Sequence, residues 1–211
     1  AYNRNIKWET TETFNVGLDF GIFGGRINGN VDAYYRKTSD LLNNITTPMG
    51  NNFSNTVISN VGNMKNMGVE FNLNFIPIEK QDMRWTINVN GTYQKTEITK
   101  LTNDDSTYLG VQTGANMGGT GGYTSLHRVG YAPYTYYLYQ QAYDENGKAI
   151  QNVLVDRDGD GSITEADRYV TGKSITPKFF FGLSSQFTYK KWDFGFNAHG
   201  SFGGYALNRI A

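Results

Sequence analysis

The sequence of 211 residues has no cysteine. That excludes a disulfide scaffold, a thiol nucleophile and any zinc site built on thiolates. Histidine is almost as scarce: His127 and His199 are the only two, and they lie far apart in the sequence. No run of 18 apolar residues occurs, so a membrane-spanning helix is excluded; a membrane β-barrel is not, because its alternating strands give weak hydropathy. The opening AYNRNIKWETTETF lacks the pattern of a secretory signal. Basic and acidic residues balance at 19 each, so no overall charge attracts nucleic acid, and none is expected as a partner. Only four prolines stand against 25 glycines.

What is present is aromatic and alternating. Phe, Trp and Tyr make up 15% of the chain, with heavy use of Gly and Asn, a composition that suits a sheet with one apolar and one polar face. From Thr13 to Phe20 the apolar set Phe14, Val16, Leu18 and Phe20 opposes Thr13, Asn15, Gly17 and Asp19. After a GIFGG turn, Ile27, Gly29, Val31, Ala33 and Tyr35 oppose Asn28, Asn30, Asp32, Tyr34 and Arg36. Residues Ser39 to Asn60, rich in Asn with Pro48 and Gly50, read as a long loop. Val69, Phe71, Leu73 and Phe75 then alternate with Glu70, Asn72 and Asn74. The turn PIEKQDM leads into Trp85, Ile87, Val89, Gly91 and Tyr93 against Thr86, Asn88, Asn90, Thr92 and Gln94.

Beyond Leu101 the pattern dissolves, and NMGGTGGYTS reads as irregular. In the aromatic patch Tyr131 to Tyr143 a strand is expected only after Pro133. Near the end, Phe181, Leu183, Ser185, Phe187 and Tyr189 are joined by a KK turn to Trp192, Phe194, Phe196 and Ala198.

Val155 to Gly172, VDRDGDGSITEADRYVTG, is the one stretch whose spacing dictates a specific chemistry. Asp156, Asp158 and Asp160 fall at positions 1, 3 and 5 of a 12-residue calcium loop, with Gly161 at the sharp turn. Ser162 offers its carbonyl at position 7, Thr164 holds a water at position 9, and Asp167 closes the loop at position 12. An aspartate in place of the bidentate glutamate of an EF-hand, and no flanking amphipathic helices, point to a dockerin-like structural Ca2+ site. The same residues also make a solvated acidic turn that binds nothing.

Six strands in three hairpins with short turns, separated by long loops, are the pattern of an outer-membrane barrel. There the short turns face the periplasm and the apolar face meets lipid. Strands of about 9 to 11 residues match the hydrocarbon thickness. Trp8, Trp85, Tyr93, Tyr189 and Trp192 are candidates for the interfacial girdles. The parity of crossings puts the acidic loop outside the cell. A secreted, calcium-stabilised β-sandwich that binds glycans or proteins has the same alternation, its apolar faces packed on one another.

Enzymatic readings find no support. His199 sits on a polar strand face, the loop carboxylates are committed to a turn or an ion rather than to glycosidase chemistry, and Gly118, Gly119, Gly121 and Gly122 precede no strand-to-helix unit that would cradle phosphate.

NIKWE at Asn5 to Glu9, NVGNMKNMGVE at Asn60 to Glu70, DRDGDGSITEAD at Asp156 to Asp167 and TPKFFFG at Thr176 to Gly182 occur in this order. Together they resemble the C-terminal part of the SusC/RagA family of TonB-linked outer-membrane transporters of Bacteroidetes; Arg4 stands where the family often has proline. The resemblance implies an all-β fold, antiparallel strands from a transmembrane barrel of about 22 strands with a plugged lumen and long extracellular loops. Residues 1–211 would be part of the C-terminal barrel domain, with the plug and N-terminal segments absent. It further implies import of oligosaccharides or peptides through an outer-membrane, multi-pass barrel surrounded by lipid. The partners it implies are a SusD-like surface lipoprotein acting as a lid and the TonB complex, and transporter–lid units that pair as a dimer.

Overall fold

The computed structural model describes residues 3–46, 56–102, 109–116 and 122–208. Twelve strands are described: β1 (Thr10–Ile22), β2 (Ile27–Thr46), β3 (Thr56–Lys80), β4 (Met83–Lys100), β5 (Val111–Asn116), β6 (Tyr123–His127), β7 (Thr135–Leu138), β8 (Gln141–Tyr143), β9 (Ala149–Leu154), β10 (Tyr169–Ser174), β11 (Phe179–Tyr189) and β12 (Trp192–Phe202). A 3-10 turn at Glu165–Asp167 precedes β10. The wall is one antiparallel sheet in the order β1-β2-β3-β4-β11-β12; a second sheet runs β10-β7-β6-β5, and β8 pairs with β9.

The register lays the alternating residues out as rows across the wall. One outward row reads Leu18, Val31, Phe71, Gly91, Phe181 and Gly200, and the next Val16, Ala33, Val69, Tyr93, Phe179 and Phe202. Phe14, Val16, Leu18, Val31, Val69, Phe71, Phe194 and Phe196 are all exposed. No second sheet covers this face among the described residues, so the sandwich reading fails: its apolar faces would have to pack on each other. Such a face is stable against hydrocarbon, where backbone amides must be paired within the sheet, as those of β2, β3, β4 and β11 are with a neighbour on each side. From Met83 to Tyr93, at about 3.3 Å per residue and a tilt of about 40°, the outward face covers about 25 Å, the height of a lipid-facing band. Within the band the Ser185 hydroxyl accepts a 2.9 Å bond from Trp85 Nε1. In the row through Phe71 and Phe181, glycines face the bulky rings. Phe71 lies over Gly91 and Phe181 over Gly200, close enough that a Cβ would meet ring carbons at 2.5 Å in each case.

Two expectations from the sequence are corrected. The loop expected over Ser39 to Asn60 is mostly strand: β2 and β3 stay paired from Leu41 with Gly62 to Thr46 with Thr56, and only residues 47–55 lie outside the described part. Asparagine supports the pairing here rather than blocking it. Asn60 Nδ2 donates to the carbonyls of Lys7 and Asp40 at 2.8 Å each, and a bulge at residues 39–40, with Asp40 at φ 61°, takes up the irregularity. The PIEKQDM turn likewise shrinks to Gln81 and Asp82. Pro77 falls in a bulge between Phe75 and Ile78, one of the few places a sheet accepts proline. The KK turn is as expected.

Candidate functional site

β4 pairs directly with β11 along its inner half, from Met83–Tyr189 to Tyr93–Phe179. Everything from 101 to 178 is therefore an excursion from one end of the wall, the end opposite the short turns. The 4-stranded sheet, the β8–β9 hairpin and the acidic loop all lie in it. The aromatic patch supplies β7 and β8, with Pro133 outside both. Of the glycine-rich NMGGTGG segment, residues 117–121 lie outside the described residues.

The acidic loop brings together three of its four candidate carboxylates. Carboxylate oxygens of Asp156, Asp158 and Asp167 lie within 4.8 Å of one another. Asp167 is fully buried and accepts from Arg157 N at 2.6 Å, Asp158 N at 3.4 Å and Thr164 N at 2.7 Å. These amides, Thr164's first, hold its pKa below the usual aspartate value. Asp156 accepts from Gly159 N and Gly161 N, and both glycines have φ near +80°, a conformation that side chains with a Cβ resist. For Asp158 the Asp160 amide works to lower the pKa. Partial desolvation and the neighbouring Asp160 and Asp167 carboxylates outweigh it and raise the value, as expected where like charges crowd. Asp160 stands apart from the cluster and accepts from Ser162 N. The Thr164 hydroxyl caps the 3-10 turn by accepting from Ala166 N.

The residue after this loop was not foreseen from the sequence. Arg168 is 5% exposed. Its guanidinium donates to the carbonyls of Tyr123 and Tyr137 and to Glu165, and lies 4.0 Å over the Tyr137 ring. It therefore ties β6, β7 and the 3-10 turn together. The only cue in the sequence is an arginine placed between an acidic loop and a tyrosine-rich patch. Nearby, His127 packs edge-on against Tyr134 at 4.7 Å, its Nε2 buried without a partner; burial lowers its pKa.

The second element of the site is the polar face of the wall. Asn28, Asn74, Asn88, Ser184 and Asn197 form one continuous row. A cavity of about 920 Å³ opens on this face, lined among others by Thr13, Asn15, Asp32, Tyr34, Arg36 and Glu70. Asp32 and Glu70 are directly opposite on adjacent strands. His199 shares this face, opposite Gly182, and so belongs to a different sheet from His127.

A wall apolar outside and polar inside, capped at one end by a folded excursion, is the geometry of a barrel segment. The family described as "TonB dependent receptor-like, beta-barrel" matches residues 1–209. This chain belongs to that family. The TonB-dependent receptor SusC of Bacteroides thetaiotaomicron is 44% identical over 206 residues, covering 97% of this chain and 20% of that protein. The TonB-dependent receptor P3 of Formosa agariphila is 31% identical over 220 residues, with 98% and 22% covered. Among solved structures, the RagAB peptide importer in its "open-open" state matches with TM-score 0.75 and 25% identity over 97% of this chain and 22% of that one. These findings agree with membership of the SusC/RagA group. The chain thus spans about a fifth of the length of the relatives it matches. The wall is an open segment of an outer-membrane TonB-dependent barrel.

Proposed function

We propose that the protein to which this barrel segment belongs imports oligosaccharides or peptides across the outer membrane. The TonB complex would drive it, and a SusD-like lipoprotein would close over its mouth. The observation that carries this reading is the continuous polar row of Asn and Ser across the inner wall beside a 920 Å³ cavity. Side-chain amides each present two donors and an acceptor oxygen, so such a wall exchanges hydrogen bonds with hydroxyl-rich or amide-rich solutes without gripping any one of them. Passage needs no covalent chemistry from the chain. The reading is tested with a strain lacking the gene, supplied with fluorescent oligosaccharides or peptides. Uptake should fall to the level of a strain without TonB and return with the intact gene. Unchanged uptake of both solute classes would overturn it.

We also infer that the acidic loop holds a structural Ca2+. Three converging carboxylates with oxygens within 4.8 Å of one another suit a hard cation that takes oxygen ligands. The crowding that raises the Asp158 pKa is what a cation would relieve. Asp156, Asp158 and Asp167 would be its principal ligands, with Asp160, the Ser162 carbonyl and Thr164 as the remaining candidates. When bound, the ion would neutralise the loop and pin it; it has no role in solute chemistry.

A further inference from the structure

We propose that the outward face of the wall carries a site for the phosphate of an outer-leaflet glycolipid, held by Lys37, Lys65 and Lys95. The apolar rows of that face end abruptly. Above the row Phe14, Tyr35, Met67 and Lys95 comes a row that reads Glu12, Lys37, Lys65 and Glu97 on four successive strands. These residues have the same parity as the lipid-facing set and sit just beyond Tyr35 and Tyr93, the exposed aromatics at the upper end of the band. That end lies away from the short turns, and so at the outer leaflet.

Lys37 and Lys65 are directly opposite, an arrangement of like charges that destabilises a strand pair unless an anion lies between them. One carboxylate serves two of the ammoniums: Glu97 is 2.9 Å from Lys65 and 3.7 Å from Lys95. Lys37 makes no ion pair among the described residues, although Glu12 faces it in register. A phosphate monoester brings more than one negative charge and several acceptor oxygens. It would bridge Lys37 and Lys65 at the level where headgroups sit, with its acyl chains along Phe14, Tyr35 and Met67. In a closed barrel this outward face stays against lipid, so the site survives completion of the wall. The inference rests on the barrel fold and does not depend on which solute is carried.

The test uses the whole transporter in neutral detergent, with native mass spectrometry reading bound lipid. Its probes are phosphorylated lipid A, the same lipid after phosphatase treatment, and inorganic phosphate. The phosphorylated lipid should bind at least tenfold more tightly than the dephosphorylated form. Lys37→Gln, which breaks no ion pair, should weaken it roughly fivefold, and the triple Lys37→Gln, Lys65→Gln, Lys95→Gln variant should abolish the preference. Lys148→Gln, on the extracellular excursion, should change nothing. Equal binding of the two lipids, or unaltered preference in Lys37→Gln and the triple variant, would overturn the proposal. Inorganic phosphate binding as tightly as the lipid would replace the lipid with a free anion and overturn it too.

Discussion

Asp167 and Arg168 are neighbours in sequence, both buried, and each is committed to a different structure. The Asp167 carboxylate closes the acidic loop by accepting three amides, while the Arg168 guanidinium lies over Tyr137 and donates to carbonyls of β6 and β7. Arg168→Ala removes two charge-assisted bonds to backbone and a cation–π contact, at a cost of about 2–4 kcal/mol. Amide hydrogen exchange should accelerate in β6 and β7 and stay unchanged in β1 to β4. Equal protection of β6 and β7 in the variant would show that the arginine is not the fastener.

For the acidic loop, Asp158→Ala should loosen the excursion while leaving the barrel wall intact, and a chelator should do the same to the unaltered protein. Limited proteolysis with and without calcium measures both. Protease sensitivity of residues 156–168 that ignores chelator and substitution alike would remove the metal from the account.

His127 gives the excursion a pH dependence whose sign is fixed by its burial. Its folded pKa lies below the unfolded value of 6.5, so the folded state takes up a proton less readily than the unfolded one. The stabilisation is complete above pH of about 6.5 and is lost as pH falls through the folded value. The protection of amides in β5 to β7, taken relative to the intrinsic exchange rate at each pH, should therefore fall on going from neutral to mildly acidic solution. His127→Phe should remove that part of the response; an unaltered pH profile in the variant would assign it elsewhere.

The bond from Trp85 to Ser185 crosses two strands inside the lipid-facing band. Trp85→Phe leaves a hydroxyl in hydrocarbon without its donor and should cost about 1–2 kcal/mol. Adding Ser185→Ala should recover most of that. The midpoint of heat-induced unfolding in detergent reads both, and additive losses would show the two residues are not coupled.

Two wall glycines should respond unequally to alanine. A Cβ at Gly29 would clash with the Asn72 carbonyl oxygen, whereas at Gly91 it would meet carbons of the Phe71 ring. A ring can turn aside into lipid; a paired backbone cannot. Gly29→Ala should lower the unfolding midpoint clearly more than Gly91→Ala, whose overpacking costs about 1 kcal/mol.

The faces of the wall were legible in the sequence because lipid on one side and water on the other force a period of two. Phe14 to Phe20 and Val69 to Phe75 carry that signal without interruption. Beyond the membrane both faces of a strand meet water, the contrast vanishes, and residues 41–46 and 56–62 look like loop although they are paired. The acidic loop was legible because its spacing is local. Arg168 was not, since its partners are spread from Tyr123 to Glu165 and only the folded excursion brings them together. Lys37 and Lys65 were hidden for a similar reason: their opposition depends on a register that single strands do not reveal.

The seam between β4 and β11 has a consequence for how the chain assembles. Pairing these strands means closing a loop that runs from residue 101 to 178, and the entropy lost in doing so grows with the logarithm of loop length. The excursion shortens that loop from within. Ile98 exchanges two backbone bonds with the segment around Tyr131, donating to Tyr131 O and accepting from Gly130 N, and Ser174 is tied to Pro133 at 2.7 Å. Once the small sheet has formed, its two ends already lie beside the strands they must join. The structure at the mouth then acts as a clasp that sets the wall's register from above, so changes in the excursion reach the barrel through the order in which its strands meet.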